Sequence, residues 1–134
     1  MSETKQPTYV YCHKERKLVV ATPATHSRVF FRCLKLKMER CVIDDENLNA
    51  KKVDAIEECE EIIEEIDNGE EVEVLVIRST AEGIRKNLWY LNRFGSWKVN
   101  RLPIRHSIRL SNKIIEICDE AISENKNERE KRAV

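Results

Sequence analysis

Residues 71–94 read EVEVLVIRSTAEGIRKNLWYLNRF, and the way this stretch divides decides the fold. Its first eight residues alternate. Val72, Val74 and Val76 share one side, while Leu75 and Ile77 follow Glu71 and Glu73 on the other. Period two is the pattern of a β-strand, and a second half apolar on both sides is that of a central strand. The pattern then changes to a helical one. Ser79-Thr80-Ala81-Glu82 fits a capping box, with Ser79 as N-cap and Glu82 reaching back. On a helix over 80–94, Ala81, Ile84, Leu88 and Leu91 fall within roughly 80° of arc. Gly95 fits the helix stop.

Upstream, Thr8–His13 and Lys17–Thr22 read as two strands joined by the charged turn Lys14-Glu15-Arg16, and Thr22-Pro23-Ala24-Thr25 breaks the pattern. Residues 28–43 read as a long strand, with Phe30, Leu34, Leu36 and Met38 on one parity and Lys35, Lys37 and Glu39 on the other. Asp44-Asp45-Glu46-Asn47 starts a helix over 48–67 whose stripe is Val53, Ile56, Cys59, Ile63 and Ile66, closed by Asn68-Gly69. Downstream, Trp97–Leu102 reads as a short strand ended by Pro103. Ser111 caps a last helix with Ile114, Ile117, Cys118 and Ala121 inward. The expected class is α+β: a mixed β-sheet of about five strands with three helices mainly on one face, in the order β-β-β-α-β-α-β-α. Residues 1–124 form the expected single domain and 125–134 a charged tail.

The chain has 134 residues and no net charge, but the charge is segregated. Residues 1–43 carry +6, 44–77 carry −12, 78–113 carry +8 and 114–134 carry −2. Such blocks imply surfaces of opposite sign unless the fold interleaves them. Nineteen Glu against a single Gln is a bias that points to a thermophile, archaeal or one of its viruses. No apolar run approaches the roughly 18 residues a bilayer span needs, and the N-terminus lacks a signal-peptide core. The expected location is cytoplasmic, in a host cytoplasm if the protein is viral. Five irregularly spaced cysteines are no secreted disulfide framework and read as small buried hydrophobes.

Residues 78–109 concentrate the chemistry. They hold eight basic residues, one acid (Glu82) and four of the chain's eight aromatics. Opposite the apolar stripe of helix 80–94 lie Arg85, Lys86, Trp89, Tyr90 and Arg93, with Trp89 four residues from both Arg85 and Arg93. Arg101, Arg105 and Arg109 continue the basic run. Cations neutralise phosphates and interleaved aromatics stack on unpaired bases. The expectation is a non-enzymatic nucleic-acid-binding (DNA or RNA) protein that uses Arg85, Lys86, Trp89, Tyr90, Arg93, Arg101, Arg105 and Arg109. The alternative is an inhibitor, adaptor or homodimeric structural protein with the same face as its interface. The spacing of Cys12-His13, His26, Cys33 and Cys41 matches no zinc pattern. The carboxylates of helix 48–67 read as its solvated face. Neither a catalytic residue, a metal nor a cofactor is expected.

Overall fold

The computed structural model describes residues 9–12, 16–69, 71–94 and 100–132, and it is a helical bundle with one hairpin, not an α+β sheet. Strand β1 (Tyr9–Cys12) pairs antiparallel with β2 (Lys17–Val20), as the sequence suggests. Four helices follow: α1 (Pro23–Glu39), α2 (Glu46–Asp67), α3 (Val74–Phe94) and α4 (Arg101–Arg132). Each helix packs along its sequence neighbour, and α4 closes the ring against α1, while α1 and α3 meet sparsely across the diagonal. The connections are short, so neighbours run antiparallel. Among the described residues no helix is long and apolar enough to cross a membrane.

Two of the expected strands are helical. In α1 the residues with no exposure are Ser27, Phe31, Leu34 and Met38, a 4-3-4 spacing, whereas Leu36 faces solvent. Leu34 and Met38 serve either period, so their alternation with Lys35 and Lys37 is coincidental. Leu, Lys, Arg, Met and Glu all favour helix, and Val29 is the one β-branched residue from Val29 to Glu39. The segment Thr22–Thr25 is the start signal. The Thr22 hydroxyl accepts the Thr25 backbone N–H (3.2 Å), the Thr25 hydroxyl accepts that of Thr22 (2.8 Å), and Pro23 opens the first turn.

At residues 74–78 local β-propensity loses to packing. Ile77 lies on one stripe with Ala81, Ile84, Leu88 and Leu91, and none of the five is exposed. Extending the helix backwards buries Ile77 while leaving Leu75 and Val76 outside. Ser79 is consequently an interior position rather than an N-cap, and Glu82 pairs with Arg78 instead of capping. Residues 71–73 are loop.

The third correction concerns the α4 entry. Residues 95–99, including Gly95 and Trp97, lie outside the described residues, but Arg101 already begins α4. Pro103 sits in the first turn, where a missing N–H loses no intrahelical bond. Ile104, Ser107, Ser111, Ile114, Ile115 and Cys118 form the buried stripe. The Ser107 and Ser111 hydroxyls donate back to the carbonyls of Pro103 (2.8 Å) and Ile108 (2.7 Å). Ser111 is therefore interior too. Residues 125–132 continue α4 as helix.

The α2 assignment holds, with Asp45 as N-cap (3.0 Å to the Leu48 N–H) and Gly69 at φ 77 beyond its end. Its stripe is rotated from the expected one: Ala55, Cys59 and Ile62 are buried, Ile56, Ile63 and Ile66 half-buried, and Val53 exposed. Arg28 clamps α1 to the end of α2 through a two-point contact with Asp67. Cys41, Cys59 and Cys118 are buried free thiols, and burial pushes Cys59 up to about 12 and Cys118 to about 11. They act as core hydrophobes; Cys33 is free and exposed.

Candidate nucleic-acid interface

The helical reading of residues 101–110 changes the site. Arg101, Arg105 and Arg109 recur every four residues, so on α4 they span roughly 80° of arc and about 12 Å of length. Arg85, Trp89 and Arg93 form the same ridge on α3. The two helices are packed neighbours, and facing axes lie about 8–10 Å apart. One bond that reports their orientation runs from the Arg85 guanidinium, which donates to Asn112 Oδ1 at 2.9 Å. Asn112 shares the arc of Arg101 and Arg105 on α4, so that side of α4 turns toward α3.

None of Arg85, Lys86, Arg93, Arg101, Arg105 and Arg109 forms an ion pair among the described residues. The adjoining half of the same helix pair is different. Arg78 contacts Glu82 and lies 2.6 Å from Asp119. Its hydrogen bond to Asp119 holds the guanidinium charged, raising its pKa further. One half of the α3–α4 surface is thus internally neutralised, and the half beside Phe94 and Arg101 is not.

The acidic block lies elsewhere. Helix α2 borders α1 and α3, which places it diagonally across the ring from α4. The segregated charge of the sequence is therefore segregated in space. Lys35 reaches Glu60 (3.4 Å) across α1 and α2, and the other α2 acids largely face water.

Aromatic placement divides the expected site. Trp89 is 53% exposed with the Arg85 guanidinium over its ring, 4.8 Å from the centroid. Tyr90, one residue on, turns toward α2. The Lys51 ammonium lies 4.6 Å from its ring centroid, and Phe94 packs against it at 4.8 Å. Arg93 lies over Phe94 at 5.4 Å. The structure therefore joins Arg85, Trp89, Arg93, Arg101, Arg105 and Arg109 on the α3–α4 side. Lys86 projects from the outer face of α3, and Tyr90 belongs to the α2–α3 side. Lys51 and Asn112 are the contributors the sequence reading missed. The repeat Arg101-x-x-x-Arg105-x-x-x-Arg109 was a visible signal, hidden by reading it as strand and loop.

Between α2 and α3 a cleft of about 290 Å³ is lined by Glu58, Glu61, Glu65, Ser79 and Thr80. Among the described residues no group of three or more His, Cys, Asp or Glu side chains is arranged to hold a metal ion. One Glu58 oxygen (Oε2) is buried without a hydrogen-bond partner among the described residues, beside Gly83. Burial raises its pKa, and Asp54 and Glu61 raise it further. The folded protein therefore holds this proton more tightly than the unfolded chain, and stability falls as pH rises from the ordinary carboxylate range through the raised value. Glu58→Gln should accordingly stabilise the protein at pH 7 by up to about 1 kcal/mol. The gain should vanish below about pH 4, where the unfolded carboxyl is also protonated. Urea midpoints at the two pH values check this, and no gain at pH 7 would refute it.

Compared with known proteins, the chain matches no family model, no curated protein and no solved structure.

Proposed function

We propose that this protein is a non-enzymatic nucleic-acid-binding protein that docks through the α3–α4 face. The observation that carries the reading is five arginines, Arg85, Arg93, Arg101, Arg105 and Arg109, that form no ion pair among the described residues and share two packed helices with an exposed tryptophan. Phosphates supply the missing counter-charge.

Folding stability does not account for Arg101. Arg101 sits in the first turn of α4, which contains no acidic residue. A helix N-terminus carries positive partial charge, so cations there are disfavoured by about 0.3–1 kcal/mol each. Arg101→Glu should therefore raise the denaturation midpoint, by about 0.5–1 kcal/mol in stability, while weakening binding to labelled DNA and RNA. A variant that gains stability and binds as before would remove Arg101 from the interface. For the function as a whole, fluorescence anisotropy with single- and double-stranded oligonucleotides at ~50 mM salt is the direct test, because phosphate neutralisation is favourable there. Failure to bind any of them refutes the reading.

A second reading has its own support. Phe94, Leu102 and Val42 are exposed apolar residues at the same end of the bundle as Trp89. A protein-interaction module or homodimer would use them as anchors. Sedimentation separates the two: a tight dimer with Trp89 shielded favours this alternative.

A further inference from the structure

Trp89 is exposed beside an arginine that α4 holds in place. Arg85 is half-buried and tied to Asn112 at 2.9 Å, so the guanidinium that covers part of the indole is held by α4 rather than free to swing. Arg93, on the next turn, is engaged with Phe94 instead. Among the described residues no aromatic ring packs on Trp89, whereas Tyr90, itself 42% exposed, has Lys51 and Phe94 against its ring. About half of Trp89 thus remains open, on the helix pair whose Arg85, Arg93, Arg101, Arg105 and Arg109 form no ion pair among the described residues.

We propose that the ligand is a single strand, with an unpaired base stacked on the open part of Trp89 and the flanking phosphates held by Arg93, Arg105 and Arg109. This rests on the nucleic-acid reading above. In a duplex the base faces are stacked on each other, and only their edges reach the grooves. A flat ring fixed on a convex helix pair has no base face to meet there unless it forces the duplex open. On a single strand the faces are free, and every base has one. The length also fits a short segment. Each arginine ridge runs about 12 Å, and stacked nucleotides advance about 3.4 Å along a strand, so the face spans three to four nucleotides. Arg85 has a separate role: it covers the ring from behind and orients it, and it adds positive charge beside the stacked base.

The test uses the full chain and three labelled probes of equal length: a pyrimidine 12-mer, its duplex, and a 12-mer of abasic sugar-phosphate units. The pyrimidine strand should bind at least tenfold tighter than the duplex and should quench tryptophan emission. Trp89→Ala should weaken the pyrimidine strand by about 5- to 150-fold, the range of one base–aromatic stack, and abolish the quench. It should leave the abasic strand, which offers phosphates only, within twofold. Trp89→Phe should recover most of the lost affinity, because a smaller ring still stacks. Duplex binding equal to or tighter than the single strand would overturn this inference and leave the broader reading standing. So would a Trp89→Ala loss of the same size on the abasic strand. Failure of all three probes to bind at ~50 mM salt would overturn both. Circular dichroism of Trp89→Ala confirms its fold, as expected for a half-exposed residue.

Discussion

Alanine at Arg85, Arg93, Arg105 and Arg109 together is expected to remove most of the electrostatic affinity for a single strand. Each phosphate contact contributes about 0.7 to the slope of log K against log salt on single strands. Arg93, Arg105 and Arg109 are the three phosphate contacts, so their loss should flatten that slope by roughly 2, while loss of Arg85 frees the indole it orients. The loss should be similar across sequences, since phosphate contacts carry no base identity. The fold should survive. Arg93, Arg105 and Arg109 are exposed, and Arg85 gives up one charge-assisted hydrogen bond and its contact with Trp89, an effect of about 1.5–3 kcal/mol. Arg78→Ala is the matched control. It removes one positive charge from the same helix, but that charge is already answered by Glu82 and Asp119. Affinity should hardly change. Anisotropy titrations between 50 and 200 mM salt, a range over which such contacts are strongly weakened, measure both slopes. An unchanged slope in the quadruple variant, or an equal loss in Arg78→Ala, would rule out the α3–α4 face.

The second large effect is on stability. Asn100 is buried at the entry to α4, and its side chain grips the loop between α1 and α2. Its Oδ1 accepts the Val42 N–H at 2.9 Å, and its Nδ2 donates to the Val42 carbonyl at 2.6 Å. This closes a two-bond clasp between segments 58 residues apart in sequence. Lys52 reinforces it by donating to the Cys41 carbonyl at 3.1 Å. Asn100→Ala removes both bonds and leaves the Val42 backbone unanswered, a destabilisation of about 2–3 kcal/mol. Asn100→Asp should be equally harmful, because a carboxylate can accept the N–H but cannot donate to the carbonyl, and it buries charge. With an m-value of about 1–3 kcal/mol per molar urea, the midpoint should drop by ~1 M or more. A change below about 1 kcal/mol would show that water replaces the clasp without penalty. The clasp also positions the first turn of α4, and with it Arg101 and Arg105.

Much of the helical core was readable in one dimension. The stripe Ala81, Ile84, Leu88, Leu91 is fully buried as its spacing requires. The hairpin and the α2 caps also follow from local turn and capping chemistry. The errors came where two periods fit the same residues. Leu34 and Met38 are four apart, an interval compatible with a strand parity and with a helix stripe. VLVIR from Val74 to Arg78 has real β-propensity, outweighed by the burial of Ile77 along α3. Pro103 marks a strand end or a helix first turn equally well. One misread at each point converted a four-helix bundle into a five-strand sheet.

The sequence by itself determined that opposite charges occupy separate blocks, that helix 80–94 has a basic-aromatic side opposed to its core stripe, and that the first strands form a hairpin. These depend on neighbours within a turn or two, where spacing and side-chain chemistry suffice. Only the tertiary structure decided that α4 begins at Arg101 and lines its arginines along α3. It alone turned Trp89 and Tyr90 to different sides and set the acidic helix diagonally opposite. Those outcomes depend on contacts such as Arg85 to Asn112 and Asn100 to Val42. Such contacts join positions far apart in the chain, and they form only once burying the four apolar stripes has chosen which helices are neighbours.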